Sequence, residues 1–502
     1  MYRTYFDDLA TAMYPSRLLH SFGVNGKVSG SIGVAGEIGG NVMAILHGPL
    51  GCGFHYRFSA RRRHEPFYRI LTTDLQEQEI VFGGDAKLEK TIRAAWEQYH
   101  PDLILVIPTP ISDILNESVT ETAGRLREEG IPVVGVQSEL FSHRDKNYAK
   151  NRLKEISKQK LTGDNRLEME LKGCGFTEAL YAIVGQFMEK QEIIPYSVNI
   201  ETVGWGSEGK SVLREIEQTL NQAGVVVNTW IPSAAPEQLK KAPAAQLNLV
   251  KRIRWARKMR DIFGTDYLHI NDSGRYVGLD GISQFYRDIG EMLDIADQME
   301  SVIQWERARV LRKTESMRNY IFGFHGILVC RGLQSVPFTL KTYAKELGIH
   351  VDAVCVVQTE RMKISSGITP EVEKNLMVRI HDAIDLFSPG TKLYVNPDRD
   401  ELRGIFAGAD VVVGSDDFTL EGLGAPMVPA VDKMSGPSFD SYIRLINRFA
   451  SCLRTAKKRD ELILNRMSFD TDNYPRYEND STAASRRMWE EMWLDRRKGE
   501  RS

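Results

Sequence analysis

Short runs of β-branched and other apolar residues alternate along the chain with longer stretches whose apolar positions recur at helical spacing. This is the pattern of βα units feeding parallel sheets buried on both faces. The runs predict strands at 103–107, 132–137, 196–203, 224–231, 267–270, 320–330, 351–357, 392–395 and 410–414, with helices among them at 87–98, 211–223 and 339–347. Such repetition predicts an α/β fold of three Rossmann-like, doubly wound modules rather than one large sheet. A polar segment at 142–170 and a charged stretch at 307–318 read as breaks, which places the modules at 1–194, 195–318 and 319–460. The remainder, 461–502, is rich in Arg, Asp, Glu and Trp and predicts a helical extension whose tryptophans cover a partner or the chain's own body.

Length and charge narrow the possibilities. A chain of 502 residues exceeds what a single core sustains. Its formal net charge of -2 provides no global field for wrapping nucleic acid or coating an anionic membrane. No apolar run is long enough to span a bilayer, and the first residues read as an amphipathic helix rather than a secretory signal, so the expected location is the cytoplasm. Five cysteines, Cys52, Cys174, Cys330, Cys355 and Cys452, are too dispersed for a disulfide framework and form no CxxC pair. They are expected as reduced thiols, and any metal they hold needs ligands from another chain.

The phrase HGPLGC carries the first chemical signal. Gly48, Pro49 and Gly51 predict a tight turn that presents Cys52 from a loop, at the start of a helix whose dipole favours a thiolate. Arg57, Arg61, Arg62, Arg63 and His64 follow, either to neutralise an anionic ligand or as an exposed basic helix face. A second signal is GWGSEGKS, residues 204–211, which satisfies the P-loop pattern after a strand and before a helix, with Lys210 placed to reach phosphates. His325 and Cys330 lie at odd spacing on one strand, so they point to opposite faces and read as core, as does Cys355.

After HGPLGC comes an acidic stretch ending in VFGGDAKL, then a helix and a strand leading into IPTPISDILNESV. In order, spacing and residue type, residues 40–140 resemble the first domain of nitrogenase component 1 subunits and of nitrogenase-like reductases. The resemblance implies a multi-subunit reductase that takes electrons singly from a separate ATP-hydrolysing iron protein. It implies that Cys52 ligates an iron-sulfur cluster, 4Fe-4S or P-cluster-like, shared with a related component 1 subunit in a heterotetramer or homodimer. Cys174, in LKGCGFTEAL, resembles a further cluster cysteine that also precedes a Gly-Phe pair. Asp74, Glu77 and Glu79 are then candidates for iron ligation or proton relay, or plain helix-start charges.

The family pattern is incomplete. No cysteine occurs in KVSGSIGVAGEIGG, where the first cluster ligand of the family falls, and none near Leu71 or Ile111. Lys251 and Arg252 stand where the family's cofactor cysteine would be, in QLNLVKRIRWARKM, and Asp432 and Lys433 where its cofactor histidine would be. These departures imply a β-type or divergent subunit that carries a relay cluster without an iron-molybdenum-type cofactor. The implied reaction is reduction of a small molecule, with the carbon-sulfur bond of methylthio-alkanes preferred. A cofactor-assembly scaffold of the same fold and a P-loop enzyme are the alternatives.

Overall fold

The computed structural model describes residues 26–62, 69–114, 118–137, 175–202, 206–270, 274–358, 363, 368–397, 399–406, 409–413, 430–431 and 436–454. Its strands form three wholly parallel sheets, ordered β2-β1-β3-β4, β6-β5-β7-β8 and β11-β10-β9-β12-β13. The first comprises β1 (Val42–His47), β2 (Ile70–Thr72), β3 (Leu103–Pro108) and β4 (Val133–Gly135). The second comprises β5 (Ile194–Glu201), β6 (Val226–Ile231), β7 (Ala245–Val250) and β8 (Asp266–His269). The third comprises β9 (His325–Arg331), β10 (His350–Val357), β11 (Lys392–Val395), β12 (Val411–Val413) and β13 (Ala430–Val431).

Why such runs become parallel strands is visible in β1. All six residues are buried, and alternate ones divide between two cores: Val42, Ala44 and Leu46 in one, Met43 and Ile45 in the other. A strand with helices on both faces must be apolar throughout, so it shows no alternation in sequence. The edge strand β4 is closed by a side chain, since the Gln186 amide donates to Gly135 O (2.8 Å) and accepts from Gly135 N (3.1 Å).

The helices used below are α1 (Gly26–Glu37), α2 (Leu50–Arg62), α3 (Glu77–Phe82), α4 (Asp85–Tyr99), α5 (Gly175–Gln186), α6 (Gly206–Gln222), α7 (Ile253–Phe263) and α8 (Ala296–Ile321). Three expectations change. Residues 307–318 are helical, the interior of α8, whose Met299, Ile303, Glu306, Val310 and Thr314 are buried. The strand expected from residue 320 begins at His325, because Tyr320 and Ile321 finish α8. QLNLV belongs to strand β7, and the helix after it starts only at Ile253. The polar segment 142–170 and the extension 461–502 lie outside the described residues.

Candidate functional site

In the first sheet the chain leaves β1 toward β2 on one side and later places β3 on the other. The crevice outside the carboxyl ends of β1 and β3 is therefore the topological switch point, where doubly wound sheets bind ligands. HGPLGC occupies that crevice, directly after β1. His47 is fully buried with Nδ1 3.1 Å from Thr73 Oγ1, and Gly48 N donates to the same hydroxyl oxygen at 3.0 Å. From the β3 side the Thr109 hydroxyl donates to His47 O at 2.8 Å, and Ser112 Oγ accepts from Thr109 N at 2.9 Å. Threonine and serine hydroxyls just beyond two strand ends, those of β2 and β3, thus fix the path of the loop.

The glycines do different work from that expected of a tight turn. Neither Gly48 nor Gly51 adopts a positive φ. Gly48 is needed for close packing, because a Cβ there would lie 2.6 Å from Thr109 Cγ2. At Gly51 a Cβ would meet nothing within 4 Å, so the position is open toward solvent. Cys52 follows in the first turn of α2, its N–H donating to Pro49 O at 3.1 Å. The thiol is half-buried against the core of the first sheet, and burial pushes its pKa up. The helix start therefore does not render the isolated thiol a thiolate, contrary to expectation; deprotonation has to accompany metal binding.

One turn on, Tyr56 lies on the same face as Cys52. Its buried phenol is pushed up in pKa by desolvation and hydrogen-bonds Ser29 of α1. Helix α1 in turn holds α5: a Cβ on Gly30 would sit 2.7 Å from Phe176 N, and the Ser31 hydroxyl donates to Gly175 O at 3.0 Å. Gly175, the residue after Cys174, is thereby pinned within two positions of the serine that touches the Cys52 wall. Cys174 itself lies outside the described residues.

The nearby acids are structural. Asp74, at φ 52°, accepts from Leu50 N (3.3 Å), which places a carboxylate on the first N–H of α2, and from Gln76 Nε2 (2.8 Å). Glu79 accepts from Gln76 N at 2.8 Å and pairs with Lys87 at 3.2 Å; the backbone donor holds its carboxyl below the usual range. Glu77 stands in the first turn of α3. Arg57 folds back so that Nε donates to Gly53 O at 3.2 Å. Arg63, His64 and the side chains of Arg61 and Arg62 lie outside the described residues. Leu50 and Phe54, two positions to either side of Cys52 on α2, are exposed, and so are Ile80, Val81 and Phe82 on α3, Phe82 by 88%.

The second sheet repeats the strand order of the first, so its switch point lies between β5 and β7. Glu201, the last residue of β5, is fully buried there and accepts from Lys251 N (2.9 Å), Arg252 N (3.0 Å) and Trp255 Nε1 (3.1 Å) as well as from the Arg252 guanidinium. Burial pushes Lys251 down to about 8, against the pull of Glu201. A carboxylate and an arginine thus fill the crevice at the start of α7. Asp432 and Lys433 lie outside the described residues.

Of the GWGSEGKS segment, the described residues 206–211 are helical. Helix α6 begins at Gly206, so Gly209, Lys210 and Ser211 stand inside the helix rather than at its mouth. The Ser211 hydroxyl donates to Glu215 at 3.0 Å, and Glu215 also takes Arg444 at 2.6 and 2.8 Å. Residues 203–205 lie outside the described residues. Cys330 and Cys355 are buried as expected, with burial pushing Cys355 up to about 12, but His325 is half-exposed at a strand start and takes no part in the core.

What these features define is an α/β protein with several parallel sheets and one thiol at a switch-point crevice. The family model for nitrogenase component 1 type oxidoreductases matches residues 27–415, and the chain belongs to that family. It is 27% identical over 326 residues to the nitrogenase molybdenum-iron protein alpha chain of Clostridium pasteurianum, a match covering 62% of this chain and 55% of the relative. It is 24% identical over 322 residues to the iron-molybdenum cofactor biosynthesis protein NifE of Nostoc sp., covering 62% of this chain and 60% of the relative. The matches thus span less than two thirds of these relatives' length. Among solved structures, nitrogenase Cp1 at pH 6.5 superposes with a TM-score of 0.54 at 19% identity, over 86% of this chain and 88% of the other, which shows the fold. No helix among the described residues is long and apolar enough to cross a membrane.

Proposed function

We propose that this chain is a subunit of a nitrogenase-like reductase complex, in which Cys52 and Cys174 contribute ligands to an iron-sulfur cluster shared with a related component 1 subunit. The observation that carries the reading is the placement of Cys52 at the switch-point crevice, next to the open position Gly51 and on a helix whose Leu50 and Phe54 are exposed. A 4Fe-4S group needs four ligands, which two related chains would supply with Cys52 and Cys174 from each. Such a cluster would accept electrons one at a time from an ATP-dependent iron protein and release them toward the substrate. Of the chain's own residues, Cys52 ligates, Tyr56 and the core of the first sheet wall the site from water, and Asp74 holds the start of α2. Gly51 leaves room for close approach by the partner. Apolar exposure at Leu50, Phe54, Ile80, Val81 and Phe82 suits coverage by a partner chain rather than by water.

The Glu201–Arg252 pair fills the second crevice, which supports placing the substrate pocket on the partner. Reduction of a small molecule, with the carbon-sulfur bond of a methylthio-alkane as the first substrate to assay, completes the reading. Similarity to a cofactor biosynthesis protein favours a second reading, an assembly scaffold that holds a cluster without turnover. The test is iron and acid-labile sulfide per chain after anaerobic purification with co-purifying partners, in wild type and Cys52→Ala. About two irons per chain of a homodimer, lost in the variant, fits one shared four-iron cluster. No iron in wild type with any partner overturns the reading. Electron uptake from an iron protein followed by substrate reduction separates the enzyme from the scaffold.

A further inference from the structure

We propose that His325, His350 and Asp352 form a surface site for a divalent transition-metal ion of the zinc class, on the amino-terminal rim of the third sheet and independent of Cys52. The register of the sheet assembles it. Parallel pairing sets His350 opposite His325, so the two side chains share a face. A register shift between Val351 and Ala353 leaves Asp352 without a counterpart on β9. Its carboxylate stands against both histidines: Asp352 Oδ1 and Oδ2 lie 2.9 and 3.1 Å from His325 Nδ1, and Oδ1 lies 3.5 Å from His350 Nε2. The imidazole centroids are 4.6 Å apart at 65°, edge to face, and the three ligand atoms all lie within 4.8 Å of one another. Asp410 steadies the rim, its Oδ2 accepting from His325 N at 2.8 Å.

Metal–ligand bonds of about 2.0–2.1 Å in a tetrahedral shell separate neighbouring ligand atoms by about 3.3 Å. Small side-chain rotations bring this set to that spacing. A hydrogen-bonded His325–Asp352 pair would account for one histidine; it gives no reason for His350 to direct Nε2 at the same carboxylate oxygen. Two imidazoles and one carboxylate suit Zn²⁺, Co²⁺, Ni²⁺ or Cu²⁺, whereas Mg²⁺ and Ca²⁺ prefer oxygen alone. Both histidines are about half-exposed, so an ion has direct access and its remaining positions open to water or to a donor on another molecule. With both histidines open to solvent, the site is one of binding rather than of enclosed chemistry.

The experiment is an anaerobic titration of the full chain with Co²⁺, followed by displacement with Zn²⁺, in wild type, His350→Ala, Asp352→Asn and Cys52→Ala. The expected result is about one displaceable Co²⁺ per chain whose visible absorption lacks a thiolate charge-transfer band. Affinity is expected to fall at least about tenfold in His350→Ala and Asp352→Asn and to stay unchanged in Cys52→Ala. His350 is exposed while Asp352 and Cys52 are partly buried, and circular dichroism verifies that the variants fold. Absence of binding in wild type, affinities within about twofold in both rim variants, or a thiolate band that disappears with Cys52 each overturn the proposal.

Discussion

The first and second sheets share one strand order, yet their switch-point crevices are filled in opposite ways. In the first, the loop after β1 ends in a half-buried thiol with open space at Gly51 and apolar side chains facing outward. In the second, a buried glutamate at the end of β5 satisfies the start of α7 and takes an arginine, so charge, hydrogen bonds and volume are settled within the chain. One architecture offers two equivalent crevices; this sequence leaves open space at Gly51 in the first and closes the second with its own side chains. The difference rests on few residues, because the loops at strand ends set what a crevice holds while the sheets beneath stay alike.

The comparison can be broken most forcefully at Glu201. Glu201→Ala removes the buried carboxylate that accepts from the Arg252 guanidinium, Trp255 Nε1 and the N–H groups of Lys251 and Arg252 just before α7, and is expected to lower the free energy of unfolding by about 3–5 kcal/mol. Cys52→Ala is expected to cost about 1 kcal/mol or less while abolishing iron binding. Urea denaturation of both variants decides the matter, and equal losses would mean that the crevices do not differ as described. A finer contrast lies within the loop. Gly48→Ala forces a Cβ against Thr109 and is expected to cost about 1–3 kcal/mol. Gly51→Ala stays within about 0.5 kcal/mol but lowers iron content and partner association, measured by metal analysis and size-exclusion chromatography. Asp74→Ala removes the carboxylate that accepts from Leu50 N and should cost about 0.5–2 kcal/mol by the same denaturation assay.

The smallest effect is a pH dependence. Burial holds the Lys251 ammonium at about 8, below the ordinary lysine value of about 10.4. Between these values the unfolded chain binds more protons at this residue, so its contribution to stability rises with pH across that window and is least favourable below it. Lys251→Met should therefore show a flatter stability profile than wild type between pH of about 8 and about 10.4, read from urea midpoints across that range.

Much of this was legible in the chain. HGPLGC located the first crevice because glycine, proline and cysteine in that order are rare inside regular elements, and the parallel α/β plan followed from apolar runs without alternation. β1 itself escaped notice, being six buried residues squeezed between glycines and the motif it serves. β7 escaped because QLNLV merges with the helical pattern that follows, and periodicity cannot divide a short apolar run from an adjoining helix. The Glu201 network was out of reach, since its members join two segments 50 residues apart. So was the pairing of His325 with His350, which depends on strand register; only a histidine at each strand start hinted at it.

The cores have a further consequence. Ile231, Leu239, Trp255, Ala256 and Met259 belong in sequence to the second sheet and its helices, but they are buried in the same cluster as α1, α5 and the strands around Cys52. The two regions therefore share their interior, and neither can melt without exposing the other's apolar surface. The thiol-bearing crevice thus rests on a core that the second sheet also builds, a body much larger than the loop that forms it. A fragment cut between α5 and β5 would leave both halves without a complete core, and evolution can alter this crevice only through its loops.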